Sequence, residues 1–141
     1  MIVLDTNVIS ELWKIEPDPN VLAWIDAQTV ETLYLSATTV AEIRFGLATM
    51  PEGKRRMIYQ DRLEREVLPA FAGRVLSFDL DASRAYAELM ARAREAGKAI
   101  GKADGYIAAI ARARGLMVAT RDTSPFASAG LNVINPWDIT Q

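Results

Sequence analysis

The chain has 141 residues, of which 50% are hydrophobic and 24% charged, as expected for one globular domain spanning residues 1–141. It contains no cysteine and no histidine, which excludes disulfides, thiolate and imidazole metal sites, and cysteine or histidine catalysis. The formal net charge of -2 argues against a uniformly basic nucleic-acid-binding surface but leaves a local basic patch open. No basic leader precedes a long apolar stretch, so we expect a cytoplasmic protein without a signal peptide or membrane span.

The first part of the chain alternates short apolar runs with helical patterns. Residues 2–4 predict a first strand, and the spacing of the apolar residues that follow predicts a helix over residues 6–13. A short helix is expected around residues 21–25, before a second strand at residues 33–36. A third helix is predicted to begin at Thr39 and to end near residue 50.

A charged amphipathic helix is predicted over residues 52–68, closed by Pro69, and we expect it to form one arm of a helical hairpin. Its predicted inward residues are Met57, Ile58, Leu63 and Val67. Its basic residues are most simply a solvated helix face, with a phosphate-binding flank as the functional alternative. They are Lys54, Arg55, Arg56, Arg62 and Arg65.

The second part of the chain continues the alternation of strands and helices. Strands are predicted at residues 74–78, 116–119 and 131–134, and helices at residues 82–96 and 103–114. Strands that alternate with helices indicate an α/β fold with a parallel sheet covered on both faces, in three layers. In such folds ligands bind beyond the carboxyl ends of the strands.

Four acidic residues are expected at that edge of the sheet. Asp5 follows the first strand, Glu42 lies in the helix after the second strand, Asp104 in the first turn of the last long helix, and Asp122 follows the fourth strand. At roughly 5 Å and an effective dielectric of about 20, each ionised pair would repel by about 3 kcal/mol, so the cluster needs cations or protons. The pattern therefore predicts a divalent-metal site.

Each acid also has a structural explanation. Asp5 fits an N-cap that accepts from the amide of Asn7 or Val8. Glu42 fits a capping box with Thr39, in which the two side chains secure the start of the helix. These explanations do not predict that the acids share one edge of one sheet.

The other two acids have explanations of the same kind. Asp104 is stabilised by the helix dipole, by typically about 0.3–1 kcal/mol, but the apolar residues after it predict a half-buried carboxylate whose desolvation costs more. Asp122 fits an Asx-turn before Pro125. A metal ion would resolve the imbalance at Asp104.

Four segments in chain order carry a family resemblance: Asp5-Thr6-Asn7, Ser36-x-x-Thr39-x-x-Glu42-x-x-x-Gly46, Asp104-x-x-Ile107-Ala108-Ala109 and Thr120-x-Asp122-x-x-x-Phe126. Together they resemble the PIN-domain family, specifically the toxins of the VapBC and FitAB type. The resemblance extends over essentially the whole chain.

The resemblance implies a Mg²⁺- or Mn²⁺-dependent ribonuclease with a five-stranded parallel sheet, acting as the toxin of a toxin-antitoxin pair. Asp5, Glu42, Asp104 and Asp122 would correspond to the acidic quartet of the family. Thr6, Asn7 and Thr120 match polar positions beside the quartet and would support the metal, its water or the substrate. The resemblance further implies a homodimer, an RNA substrate, and inhibition by a small DNA-binding antitoxin whose tail enters the acidic pocket.

The residues can support this chemistry. Mg²⁺ prefers oxygen ligands, keeps several waters, and is usually held by one or two carboxylates together with substrate phosphate. We expect Asp5 and Asp104 to hold the principal ion, and Glu42 and Asp122 to act through water or to bind a second ion. An outer carboxylate would orient the attacking water or take its proton.

Two other classes of protein compete with this interpretation. A phosphoryl-accepting receiver or phosphatase also places acids beyond strand ends, but Asn7 stands where a haloacid-type phosphatase needs a second aspartate, and no lysine follows the fifth strand. A non-catalytic interaction module, whose acidic pocket receives an arginine from an antitoxin or DNA-regulatory partner, would use the same carboxylates and stays open.

Overall fold

A computed structural model describes residues 1–138; residues 139–141, the end of the predicted domain, lie outside the described residues. Within this part, five strands form one sheet in the order β3-β2-β1-β4-β5, and every neighbouring pair is parallel. The strands are β1 (Ile2–Leu4), β2 (Leu33–Ser36), β3 (Val75–Leu76), β4 (Met117–Ala119) and β5 (Val133–Ile134). The predicted five-stranded parallel sheet is therefore confirmed, although β3 and β5 are shorter than predicted.

Helices connect the strands and cover the sheet. They are α1 (Thr6–Leu12), α2 (Pro19–Ala27), α3 (Ala37–Ala48), α4 (Lys54–Arg62), α5 (Leu68–Ala70), α6 (Leu80–Glu95), α7 (Lys102–Arg114) and α8 (Ser124–Ser128), with a 3-10 turn at Val30–Thr32 and a π-helical turn at Leu63–Val67. The predicted helices are present. The short helix α8, whose first turn contains Pro125, was not predicted from the sequence. None of the helices in residues 1–138 is long and apolar enough to cross a membrane.

The sheet separates two apolar cores. Successive side chains of a strand point to opposite faces, so Ile2 and Leu4 enter one core while Val3 enters the other. The first core packs against α1, α2, α3 and the π-helical turn, and the second against α6, α7 and α8. This arrangement confirms the predicted three-layer α/β/α fold.

The predicted inward face of the charged arm is partly wrong. Leu63 is buried, but Met57 and Ile58 have exposed fractions of 69% and 50%. Tyr59 takes the inward position instead, stacked on Trp13 with 5.8 Å between ring centroids and 4° between ring planes. Adjacent residues of an α-helix are about 100° apart around the axis, so the face that carries Tyr59 and Leu63 turns Met57 and Ile58 toward solvent.

The arm also ends later than predicted. Pro69 lies in the first turn of α5, where a missing backbone N–H is tolerated, so the helical segment extends to Ala70 instead of closing at the proline. Arg74 then secures the turn into β3, because its guanidinium donates to the carbonyl oxygens of Val30 at 2.7 Å and Leu33 at 3.0 Å, and also to that of Ala70.

Candidate active site

Asp5 lies between β1 and α1, at the carboxyl edge of the sheet. Its backbone amide extends the sheet by donating to the carbonyl of Ala119 at 2.9 Å. The side chain is 6% exposed and caps α1, as predicted, but it accepts from the Thr6 amide at 2.8 Å rather than from Asn7 or Val8. The cap uses Oδ1, which leaves Oδ2 directed toward the end of β4.

The Thr120 hydroxyl holds Oδ2 of Asp5 in place. It is fully buried and accepts from Nδ2 of Asn7 at 3.2 Å and from the Asp122 amide at 3.1 Å. Because both neighbours are donors, the single hydroxyl proton is directed to Oδ2 of Asp5, at 2.8 Å. Thr120 therefore joins the ends of β1 and β4 and positions the start of the loop that carries Asp122.

Glu42 lies on α3 with its side chain toward solvent, beside the Thr6 hydroxyl. The capping box predicted for it is wrong, because α3 begins at Ala37 and Ser36 is its N-cap, accepting from the Thr39 amide at 2.9 Å. Thr39 is buried within the helix, where its hydroxyl lies 3.0 Å from that of Ser36 and 3.3 Å from that of Thr6. Capping therefore does not account for Glu42.

Asp104 lies in the first turn of α7 and is half-buried, as predicted. The residues that follow it, including Ile107 and Ala108, are buried in the second core. Asp122 follows β4 on the exposed loop, and the Asx-turn considered for it is not seen, since no donor within residues 1–138 reaches its carboxylate. Neither carboxylate forms an ion pair in the described part of the chain.

Burial and the charges of neighbouring carboxylates raise the pKa values of Asp5, Glu42 and Asp104. Burial raises the pKa of Asp5 above its usual value; hydrogen bonds from Thr120 and Thr6 lower it, and the charge of Asp122 raises it again. The pKa of Glu42 is also raised, first by burial and then by the charge of Asp5. The pKa of Asp104 is raised by burial and then by the charges of Asp5 and Asp122. Asp5 is thus the group whose charge acts on both Glu42 and Asp104.

Within residues 1–138, no basic side chain forms an ion pair with these four carboxylates. All ion pairs within residues 1–138 use other acids: Glu11, Glu64, Glu66, Asp61 and Asp79. A group of repelling carboxylates without basic partners, and with oxygen donors only, fits a hard divalent cation. The negative charge at this edge therefore has to be offset by protons or by bound cations.

The spacing limits how such an ion would be held. No three acidic side chains in residues 1–138 meet closely enough to hold a metal ion between them. Mg²⁺ is usually held by one or two carboxylates, with water and substrate phosphate completing its octahedron, so the donor set suits this ion without a protein cage. The assignment of Asp5, Glu42, Asp104 and Asp122 as ligands stays a prediction.

Comparison with known proteins places the chain in one family. The chain matches the PIN domain over residues 2–130. It is 78% identical to the VapC ribonuclease Y4jK of Sinorhizobium fredii over 138 residues, covering 98% of this chain and 99% of that protein. It is 50% identical to the toxin FitB of Neisseria gonorrhoeae over 137 residues, covering 97% of this chain and 99% of that protein.

Solved structures agree with these relatives. The crystal structure of FitAcB from Neisseria gonorrhoeae superposes with a TM-score of 0.96 at 49% identity, covering 99% of this chain and all of that one. FitAB bound to the IR36 DNA fragment also gives a TM-score of 0.96, at 47% identity, covering 100% of this chain and 99% of that one. The chain belongs to the PIN-domain family.

Proposed function

We propose that this protein is a divalent-metal-dependent ribonuclease that hydrolyses RNA phosphodiester bonds as the toxin of a toxin-antitoxin pair. The observation that carries the proposal is the meeting of acidic residues at the carboxyl edge of the sheet, where the Thr120 hydroxyl joins Asp5 to the start of the Asp122 loop and no acid of the site has a basic partner in residues 1–138. Its relatives named as a VapC ribonuclease and as the toxin FitB support the same activity.

The four carboxylates are assigned different roles in binding the ion. Asp5 and Asp104 would hold the principal Mg²⁺ or Mn²⁺, and Glu42 and Asp122 would bind through water or hold a second ion. A bound ion of this kind acidifies water and offsets the negative charge that develops on the phosphate. Thr120 keeps the Asp5 carboxylate in place, since it donates to Oδ2 at 2.8 Å.

Glu42 is the proposed general base. Its side chain is open to solvent, and its raised pKa brings it closer to neutral pH, where a base accepts a proton more effectively. In the hydrolysis, the water oxygen forms a bond to phosphorus and its proton passes to Glu42. The bond between phosphorus and the leaving ribose oxygen breaks, and that oxygen keeps the electron pair and takes a proton from solvent. Thr6 and Asn7 support this arrangement, Thr6 beside Glu42 and Asn7 through Thr120.

The proposed partners follow the relatives. FitAB is recorded bound to DNA, and VapBC2 from Rickettsia felis is recorded bound to a fragment of its promoter. We therefore include a small DNA-binding antitoxin as the inhibitor of this protein. A homodimer, which the family resemblance implies, is the proposed assembly. Acting on cellular RNA, the toxin would work in the cytoplasm.

The test is expression of the protein with and without the product of the neighbouring upstream gene, followed by mapping of new RNA ends. We expect growth arrest and new RNA ends for the parent alone, relief by the neighbour, and loss of both effects in Asp5→Asn. The matched control is Asp26→Asn, which changes an exposed carboxylate that lies outside the site. Cleavage by purified Asp5→Asn at the parent rate, or cleavage that survives EDTA, contradicts the proposal.

A further inference from the structure

A cleft adjoins the carboxylates on the side of the charged arm, between α1, α3 and α4. It has a volume of about 480 Å³, and Thr6 and Glu42 lie at its acidic end. Its opposite wall consists of Trp13, Lys14, Arg55 and Tyr59. A neighbouring cleft of about 470 Å³ shares Arg55 and Tyr59 with it and adds Lys54 and Arg62. A continuous groove therefore leads from Glu42 along the basic face of the arm.

The basic residues of this groove differ in whether they form an ion pair. Two of them are paired, Lys14 with Glu11 at 2.9 Å and Arg62 with Glu66 at 3.8 Å. Arg55 has no ion pair with any residue from 1 to 138. The same holds for Lys54 within the described residues. Arg55 and Lys54 are thus the two basic residues of the groove whose charge is not compensated within residues 1–138.

The Arg55 guanidinium is held in place by an aromatic wall. Its central carbon lies 5.6 Å from the centroid of the Tyr59 ring, which itself stacks on Trp13. A cation–π contact of this kind orients the guanidinium but leaves its positive charge unneutralised. The planar fork of an oriented guanidinium matches the oxygens of a phosphate. Arg55 is therefore arranged to bind an anion beside the carboxylates.

Gly46 keeps the floor of the cleft open. It lies in α3, one turn after Glu42, and lines the cleft. A glycine inside a helix costs stability relative to alanine, and here packing offers no reason for it, because a Cβ atom at Gly46 would meet nothing within 4 Å. Gly46 therefore leaves open space in the cleft that Glu42 and Arg55 also line.

We propose that this groove binds the ribose-phosphate backbone of single-stranded RNA next to the bond that is cut, with Arg55 contacting a phosphate and Gly46 leaving room for the strand. The inference rests on the proposed ribonuclease function and names the path of its substrate. A polyanion suits the groove because Arg55 and Lys54, which line it, have no ion pair within residues 1–138, whereas a basic peptide would be repelled by both. Arg55 would bind the substrate in the cleft that it shares with Glu42, and it is not one of the carboxylates proposed to act on phosphorus.

The test uses a short, labelled single-stranded RNA of mixed sequence and the Asp104→Asn protein, in which the probe is not consumed. Affinity is measured by fluorescence anisotropy over a range of salt concentrations. Arg55→Gln is expected to weaken binding about fivefold at 0.1 M salt and to lower the salt slope of log K by about 0.7, the values for one lost phosphate contact on a single strand. Arg84→Gln removes the same charge from the exposed face of α6 and should change neither quantity.

A second variant separates binding from folding. Gly46→Leu replaces a helix-destabilising residue at an exposed position, so its melting temperature should equal or exceed that of the parent while RNA binding falls at least as far as in Arg55→Gln. Ala48→Leu, at an exposed position of α3 outside the cleft, is the matched control and should bind RNA as the parent does.

The inference is overturned if Arg55→Gln behaves like Arg84→Gln, if Gly46→Leu binds RNA as well as Ala48→Leu, or if the parent binds no RNA. It is also overturned if these two variants weaken only binding of the antitoxin, which would make the groove a protein-docking site. Metal-dependent cleavage by the parent, measured in parallel, tests the proposed function separately. RNA binding in the groove without cleavage would refute the proposed ribonuclease activity but would support the groove as an RNA-binding site.

Discussion

The carboxyl edge of the sheet and the charged arm use polar residues in opposite ways. At the edge, Asp5, Asn7 and Thr120 are joined in one hydrogen-bonded network, and no buried polar side-chain atom within residues 1–138 lacks a partner. On the arm, exposed ion pairs such as Arg65 with Asp61 contribute little energy. The sheet therefore fixes the geometry of the candidate site, whereas the arm can change its surface residues, and with them the proposed contacts to RNA, at little cost to the fold.

The largest expected difference lies within the arm itself. Leu63→Ala should lower the free energy of unfolding by about 2–5 kcal/mol because it leaves a cavity in the first core, whereas Met57→Ala should change it by no more than about 0.5 kcal/mol. Denaturant unfolding of the two variants measures both values. Equal destabilisation would mean that the arm packs through Met57 as well and that the contrast with the sheet edge is false.

Thr120 offers the next largest effect, on the other side of the comparison. Thr120→Val removes a buried hydroxyl that serves Asp5, Asn7 and Asp122, and should reduce kcat/KM for RNA cleavage by about 10- to 100-fold. Thr120→Ser retains the hydroxyl and should recover most of the activity. A Val variant as active as the Ser variant would show that the network does not position Asp5.

The smallest effect concerns pH. The pKa values of Asp5, Glu42 and Asp104 are raised in the folded protein, so the folded state binds protons more tightly than the unfolded chain. The resulting stability is fully present below the usual carboxyl pKa and is lost as the pH rises through the raised values. In EDTA, Asp104→Asn should therefore be more stable than the parent at neutral pH, and the gain should disappear in acid.

Chemical denaturation over a series of pH values checks this prediction. Addition of Mg²⁺ should stabilise the parent at neutral pH, where the carboxylates are ionised, and should have little effect in acid. Asp26→Asn, at an exposed site on α2, is the control. A less stable Asp104→Asn at neutral pH would mean that the Asp104 carboxylate helps to hold the fold together.

The sequence predicted the sheet edge better than the arm for a physical reason. In a parallel sheet, residues that follow successive strands must reach the same edge, so Asp5 and Asp122 could be placed from strand order alone. The start of α3 was misplaced because both Ser36 and Thr39 can cap a helix, and only the structure decides between them. The Thr120 network joins residues far apart in the chain, so no local pattern could predict it.

The arm was harder to predict because its pattern permits more than one inward face. Met57, Ile58 and Leu63 suggest one apolar face, but Tyr59 packs on Trp13, and this distant contact sets the rotation of the helix. The groove beside Glu42 depends on the same contact. Its basic residues were visible in the sequence, whereas their division into paired and unpaired charges required the structure.

The most direct test of the central claim is a calorimetric titration of Mn²⁺ into the purified protein and its Asp5→Asn, Asp104→Asn and Asp26→Asn variants. If the carboxylates at the sheet edge hold a divalent cation together, the parent and Asp26→Asn bind Mn²⁺ with the same affinity, and Asp5→Asn and Asp104→Asn bind it at least about tenfold more weakly. Unchanged Mn²⁺ affinity in both Asp5→Asn and Asp104→Asn would contradict the claim.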